Sequence, residues 1–144
     1  MNFLIVLATF ILMEFVAWIV HKYIMHGFLW VLHKDHHVVD KTKVLQKNDY
    51  FFLIFAIPSM ILIFVGFPSF SYGFFIGIGI ALYGLAYFIV HEVIIHRRLP
   101  PPAHTKSKYI KAIRKAHHIH HKNRGKHHGV NFGMLIVPWK YFKK

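Results

Sequence analysis

Four clusters of histidines stand out in this sequence because their internal spacing repeats. The clusters contain ten of the 14 histidines: His21 and His26; His33, His36 and His37; His91 and His96; and His117, His120 and His121. The third cluster repeats the spacing of the first, and the fourth repeats the spacing of the second. Neutral imidazole is the commonest metal ligand among protein side chains. The pattern therefore predicts a metal site built from several histidines.

The number of imidazoles and the absence of cysteine limit the kind of metal site. Ten donors are more than one octahedral ion binds, so we expect two metal ions, with one ion surrounded by outer histidines as the alternative. A structural zinc site needs only about four ligands, so the surplus favours catalysis. The chain has no cysteine, which excludes thiolate-bound iron–sulfur clusters and thiol nucleophiles. Imidazole suits zinc, copper, iron and nickel alike.

Three apolar segments are long enough to cross a lipid bilayer and to place the histidines at its surface. They cover residues of about 3–20, 50–67 and 70–90, and about 18 to 21 helical residues span most or all of the hydrocarbon layer. Each histidine cluster follows an apolar segment or lies just beyond one. We therefore predict an all-α integral membrane protein with about three transmembrane helices and a cytoplasmic helical cap that carries the histidine-rich di-metal site.

The placement of the positive charge predicts the orientation of these helices. All 18 lysines and arginines lie in residues 22–47 or 97–144, and the net charge is +13. Basic segments of membrane proteins concentrate in the cytoplasm. We therefore expect the segments 21–49 and 91–144, with all four clusters and the C-terminus, on the cytoplasmic side of a single membrane-embedded domain, 1–144. The same charge attracts anionic membrane lipid, and no nucleic acid is expected as a partner.

The spacing within the clusters predicts two different geometries. The second cluster, on a short helix predicted over residues 28–37, places three imidazoles on one face at i, i+3 and i+4. A helix predicted over about 107–122 presents the fourth cluster in the same way. Spacing i, i+5 in the other two clusters puts the imidazoles about 140° apart on an ideal α-helix. These pairs need a distorted turn to share one ion, or each imidazole serves a different ion. Gly27 offers a C-terminal cap for the first helix.

Three carboxylates are candidates to support the metal ligands. Glu14 lies seven residues before His21 on the same helix face, and an ionisable group inside a membrane helix is functional by default. It could hydrogen-bond a ligand imidazole or guide protons, with structural pairing to another helix as the alternative. Glu92 and Asp35 could orient neighbouring imidazoles. Solvent exposure is the simpler explanation for His104, His127 and His128. His118 lies inside the fourth cluster but off its repeat, so it either supports a ligand imidazole or is exposed.

Longer motifs surround the histidine clusters. They cover residues 13–18, 21–27, 32–37, 47–49, 83–88, 91–92, 116–121 and 130–135, with Pro138. In these motifs the chain resembles the bacterial β-carotene 3-hydroxylase family, within the fatty-acid hydroxylase and sterol desaturase superfamily of membrane di-iron enzymes. The chain departs from that family at Glu92-Val93, where Asp-Gly is expected, in the proline-rich segment 99–106 and at residues 126–128.

The resemblance implies a non-haem di-iron monooxygenase of a bacterial inner or cell membrane. Such an enzyme hydroxylates C3 of the β-ionone ring of β-carotene or related carotenoids, toward zeaxanthin, with O2 and a reduced electron carrier. The ten cluster histidines would bind two iron ions, and no protein acid or nucleophile would be needed. The carotenoid would enter from the bilayer. Ferredoxin or a similar electron donor would dock on the basic residues between 106 and 124.

Two other functions remain open at the level of the sequence. A related membrane di-iron lipid or sterol hydroxylase or desaturase would use the same ligands. A non-catalytic membrane metal-binding or transport protein would place ligands along its transmembrane path. The apolar segments contain no histidine, however, and Glu14 is their only charged residue. This distribution favours an enzyme whose metal site lies at the membrane surface.

Overall fold

The described residues of the computed structural model, 2–38, 45–99 and 106–143, are helical over most of their length. Two π-helical segments, Val20–Phe28 and Ile89–Ile95, continue the first and fourth α-helices, and short 3-10 helices cover Lys47–Tyr50, Phe67–Ser69 and Trp139–Tyr141. The α-helices are Asn2–Ile19 (α1), Trp30–His37 (α2), Phe51–Gly66 (α3), Tyr72–Phe88 (α4) and Lys108–Lys122 (α5). The all-α architecture predicted from the sequence is confirmed.

Three helical stretches are long and apolar enough to cross a membrane. They are Asn2–Phe28, Lys47–Ser69 and Tyr72–Ile95. Large apolar side chains such as Phe3 and Phe64 are exposed on their outer surfaces, as lipid-facing residues would be. The three transmembrane helices expected from the apolar segments are therefore confirmed.

Helix α4 packs against both α1 and α3 through small residues. A Cβ atom added at Gly79 would lie 2.6 Å from Thr9 Cβ and 2.9 Å from the carbonyl oxygen of Val6 in α1. On the α3 side, a Cβ at Gly77 would lie 2.9 Å from the carbonyl oxygen of Ser59, and the Ser59 hydroxyl donates to the Gly77 carbonyl at 2.8 Å. Small residues let membrane helices approach closely, since lipid offers no hydrophobic driving force between them.

Helices α1 and α4 run in the same direction. Their contacts proceed from Gly79 against Thr9 to a hydrogen bond from Tyr83 to Glu14, which lies farther toward the C-terminal end of both helices. The two π-helical segments therefore extend toward the same end of the molecule. This arrangement brings the first and third histidine clusters together.

The two π-helical segments supply the distorted turns that the i, i+5 spacing requires. In the second segment, the His96 N–H donates to the carbonyl oxygen of His91 at 2.9 Å, which is the i+5 to i bond of a π-helix. This bond brings residues five apart onto one side of the helix. The ring centroids of His91 and His96 are 4.5 Å apart, and those of His21 and His26 are 5.3 Å apart. The helix that carries His21 and His26 breaks at Gly27, whose φ and ψ of −101° and −125° are non-helical, at the glycine where the sequence predicts its end.

Helix α5 and the residues that follow it form the cap over this end. Ser107 accepts a hydrogen bond from the N–H of Ile110 and so caps the start of α5. The buried face of α5 includes Ala112 and Ala116, which pack against Tyr141. We call residues 123–143 the C-terminal segment. Up to Pro138, it has no helix or strand.

Candidate metal centre

The fold gathers nine of the ten cluster histidines into two groups. Within each group, one candidate ligand nitrogen from every residue lies within 4.8 Å of the others. Group 1 consists of His21, His26, His33, His37 and His120, and group 2 consists of His36, His91, His96 and His117. The second and fourth clusters of the sequence are therefore each divided between the two groups.

The tenth histidine, His121, lies between the two groups. Its ring centroid is 4.5 Å from that of His37 in group 1 and 4.4 Å from that of His117 in group 2. The Nε2 atoms of His121 and His36 are buried and have no hydrogen-bond partner among the described residues. A buried polar nitrogen without a partner costs free energy, and a metal ion would satisfy it. His121 thus fits the site together with the other nine.

Backbone carbonyls of the C-terminal segment orient four imidazoles of group 1. The Nδ1 atoms donate as follows: His37 to Asn123 at 2.9 Å, His26 to Lys126 at 3.0 Å, His120 to Val130 at 2.7 Å and His21 to Phe132 at 2.9 Å. A carbonyl oxygen only accepts, so each of these Nδ1 atoms carries the ring proton. Metal-binding histidines usually donate their second ring N–H in this way.

Side chains orient three further imidazoles. Asn48 Oδ1 accepts from His33 Nδ1 at 2.6 Å, which completes group 1. In group 2, His36 Nδ1 donates to Gln46 Oε1 at 3.1 Å, and His91 Nδ1 donates to Glu92 Oε1 at 2.6 Å. Glu92 Oε2 in turn accepts from the Arg98 guanidinium at 2.8 Å. Glu92 therefore contacts a cluster histidine, as its position next to His91 suggested.

The Nε2 atoms of group 1 face one another at short distances. His33 Nε2 lies 3.2 Å from both His21 Nε2 and His37 Nε2, and His26 Nε2 lies 3.3 Å from His120 Nε2. In a neutral imidazole whose Nδ1 carries the proton, Nε2 has only a lone pair. Two lone pairs cannot form a hydrogen bond, so this arrangement is favourable only when a cation lies among the nitrogens. The donor set of group 1 therefore fits a metal ion.

Burial keeps four of the candidate ligand imidazoles uncharged at neutral pH. Desolvation lowers the pKa of His33 to about 2, of His37 to about 4 and of His120 to about 3. In group 2, desolvation and the neighbouring imidazoles lower the pKa of His96 to about 3. Neutral imidazole is the form that binds metal, so these four histidines are in the correct state.

Glu14 contacts the C-terminal segment and not an imidazole of the described residues. Its Oε1 accepts the backbone N–H groups of Met134, Leu135 and Ile136, each at 2.9 Å. Its Oε2 accepts from the Tyr83 hydroxyl at 2.7 Å. The structural alternative considered for Glu14 thus describes its contacts better than a direct bond to a ligand does.

Asp35 supports the turn that carries Asn48. Its carboxylate accepts the backbone N–H of Lys47 at 2.6 Å, and its described contacts include no imidazole. His127 and His128 are exposed, as expected, and His104 lies outside the described residues. His118 is also exposed, which was one of its two alternatives.

Sequence reasoning missed the acceptors that orient the imidazoles. Asn48 belongs to one of the motifs that carry the family resemblance, so a signal for it was present. Gln46 lies outside those motifs. The carbonyl acceptors have no sequence signal at all, because every residue has a carbonyl group.

Comparison with known proteins places these features in a family. Residues 6–143 match the sequence model of the fatty acid hydroxylase family. A beta-carotene hydroxylase of Pantoea ananas is 41% identical over 137 residues, which cover 95% of this chain and 78% of the relative. A beta-carotene hydroxylase of Paracoccus sp. (strain N81106 / MBIC 01143) is 39% identical over 138 residues, covering 95% and 85%. No solved structure gives a significant match. The chain therefore belongs to the fatty acid hydroxylase family.

Proposed function

We propose that this protein is an O2-dependent β-carotene hydroxylase that adds a hydroxyl group to C3 of the β-ionone ring and uses two iron ions held by the ten cluster histidines. The observation that carries the proposal is the pair of adjoining imidazole groups, and within group 1 the Nε2 lone pairs that face one another with no proton between them. The relatives named beta-carotene hydroxylase, which match along 95% of the chain, support the substrate.

The chain's own residues hold, orient and shield the site. Bound iron would activate O2 and supply the oxidant for a C–H bond. The acceptors on Nδ1 of seven of these imidazoles keep their rings turned with Nε2 toward the centre of the group. Close packing excludes water, since His33, His36, His91 and His120 are among the most buried side chains of the described residues. A dry site protects a strong oxidant from side reactions.

The position of the site supports a substrate that resides in the membrane. Both groups lie where the apolar helices α1 and α4 pass into their π-helical continuations. A carotenoid is a long hydrocarbon that partitions into the bilayer, so its ring can reach this level without leaving the lipid. A fatty acyl chain would have the same access, and the family description favours testing it as the second substrate.

The charge of the cap supports an acidic electron donor and a cytoplasmic orientation. Lys111, Lys115 and Lys122 are exposed on α5, and a cavity of about 520 Å³ beside group 2 is lined by His96 and Arg114 among others. An acidic ferredoxin or a similar carrier would be attracted to this surface. By the charge rule for membrane proteins, the same surface belongs on the cytoplasmic side of a bacterial inner membrane. Anionic lipid headgroups would bind the same lysines.

Product analysis in β-carotene-producing bacteria tests the proposal. Cells expressing the protein should convert β-carotene into products with one and then two added oxygens, detected by chromatography and mass spectrometry. His36→Ala, which removes a buried group 2 nitrogen, should abolish these products. His127→Ala is the matched control, because its imidazole is exposed and lies outside both groups.

The possible outcomes separate the parts of the proposal. Unchanged β-carotene with well-expressed wild-type protein would refute the carotenoid substrate, and hydroxylated fatty acids in the same extracts would replace it with a lipid. Full activity of His36→Ala would refute the role of the histidine groups. Loss of activity in His127→Ala alone would do the same.

A further inference from the structure

Glu14 is a buried carboxylate inside a membrane-spanning helix, and all its described contacts are structural. It is 8% exposed, and its two oxygens accept four hydrogen bonds, three from the backbone of residues 134–136 and one from Tyr83. A carboxylate in this environment is costly unless it is fully hydrogen-bonded, and these donors supply that bonding. Glu14 thereby ties the C-terminal segment to α1 and α4.

The stretch of chain that Glu14 holds is the one that supplies the carbonyl acceptors of group 1. Phe132, whose carbonyl accepts from His21, lies two residues before Met134, whose N–H donates to Glu14. Between residues 124 and 137, no backbone N–H donates to another backbone group of the described residues. The position of this stretch therefore depends on side-chain contacts, of which Glu14 makes three.

Gly133 shows how closely the segment approaches Glu14. A Cβ atom at this position would lie 3.2 Å from Glu14 Oε1 and 2.9 Å from the carbonyl oxygen of Ile136. A Cβ atom here would force the backbone around Ile136 to shift and would crowd the carboxylate. Gly133 therefore offers a second way to disturb the same contact without changing Glu14 itself.

We infer that Glu14 is a positioning residue for group 1: by holding the backbone of residues 134–136, it keeps four carbonyl oxygens of the C-terminal segment against the Nδ1 atoms of His21, His26, His37 and His120. The inference rests on the proposed metal site and adds a role for a residue remote from the imidazoles. This role is confined to group 1, because His36 and His91 of group 2 are oriented by Gln46 and Glu92 instead.

Two measurements on purified full-length protein in detergent test this inference. The first is amide hydrogen exchange of residues 134–136 in the metal-free protein. The second is an anaerobic titration of the metal-free protein with Fe²⁺. Glu14→Ala should expose the three amides and lower binding about twofold, from about two Fe²⁺ per chain to about one, because only group 1 loses its orienting acceptors.

Three further variants make the test specific. Gly133→Ala should reproduce both effects of Glu14→Ala. Glu14→Gln retains an oxygen that can accept the three N–H groups, so it should restore the second Fe²⁺. Ser59→Ala removes a buried hydrogen bond between α3 and α4, away from the C-terminal segment, and should bind as much Fe²⁺ as the wild type.

Each outcome decides the inference. Amides that stay protected in Glu14→Ala would overturn it, and so would exposed amides with both Fe²⁺ ions retained. Equal loss of Fe²⁺ in Ser59→Ala would show general destabilisation and would also overturn it. A wild-type protein that binds no Fe²⁺ would refute the proposed metal site itself, and with it this inference, before any variant is compared.

Discussion

Replacing Asn48 with alanine removes the hydrogen-bond acceptor that orients His33. Asn48 Oδ1 lies 2.6 Å from His33 Nδ1, and the two side chains are 7% and 1% exposed, so water cannot replace the lost acceptor. A buried N–H left without a partner costs about 1–3 kcal/mol. Because about 1.4 kcal/mol corresponds to a tenfold change in affinity, this cost corresponds to a loss of metal affinity of about 5- to 150-fold. This range brackets the roughly 10- to 100-fold loss of affinity that follows removal of such outer acceptors in metalloproteins.

An anaerobic Fe²⁺ titration of the metal-free protein measures this effect directly. We expect Asn48→Ala to raise the Kd of one of two binding events by about 10- to 100-fold and to leave the other near its wild-type value. Asn48→Asp keeps an oxygen acceptor at the same position and serves as the matched control. Gln46→Ala, which removes the acceptor of His36, should weaken the other event instead. If Asn48→Ala binds both ions with wild-type affinity, the orienting role assigned to these acceptors is wrong.

Two further predictions concern helix packing and metal removal. Gly79→Ala should lower the free energy of unfolding by about 1–3 kcal/mol and so the melting temperature in detergent, because the added Cβ would lie 2.6 Å from Thr9 Cβ. Gly84→Ala is the control: no atom lies within 4 Å of its added Cβ, so it should melt at the wild-type temperature or above it. Removing iron with a chelator should lower the melting temperature, and added Fe²⁺ should restore it, because the facing lone pairs of group 1 then lose their cation. Equal melting temperatures in either comparison would contradict the corresponding argument.

The membrane helices could be predicted because their signals are local. An apolar segment of sufficient length predicts a transmembrane helix. The direction expected from the placement of lysine and arginine stays a prediction. The break of the first helix at Gly27 also has a local signal. The π-helical turn that brings His21 and His26 into one group has none, because it depends on where the other imidazoles of that group lie.

The identity of the site histidines was also accessible from the sequence, but their partition was not. Regular spacing singled out ten imidazoles, and the structure places all ten in or between two groups. How they divide depends on contacts between helices far apart in the chain, such as His26 near His120. The role of Glu14 was hidden for the same reason, because its partners lie 120 to 122 residues later.

The repeated spacing in the sequence reflects the different roles of two kinds of helix. Each π-helical segment serves one group: the first supplies His21 and His26 to group 1, and the second supplies His91 and His96 to group 2. Helices α2 and α5 each contribute to both groups, because their i, i+3, i+4 imidazoles cover a wider face. A helix face that contributes imidazoles to two groups fits two metal ions. The geometry therefore favours two ions over one ion with outer histidines, and it predicts that replacing one grouped histidine weakens the ion of its own group, whether that histidine lies on a π-helical segment or on α2 or α5.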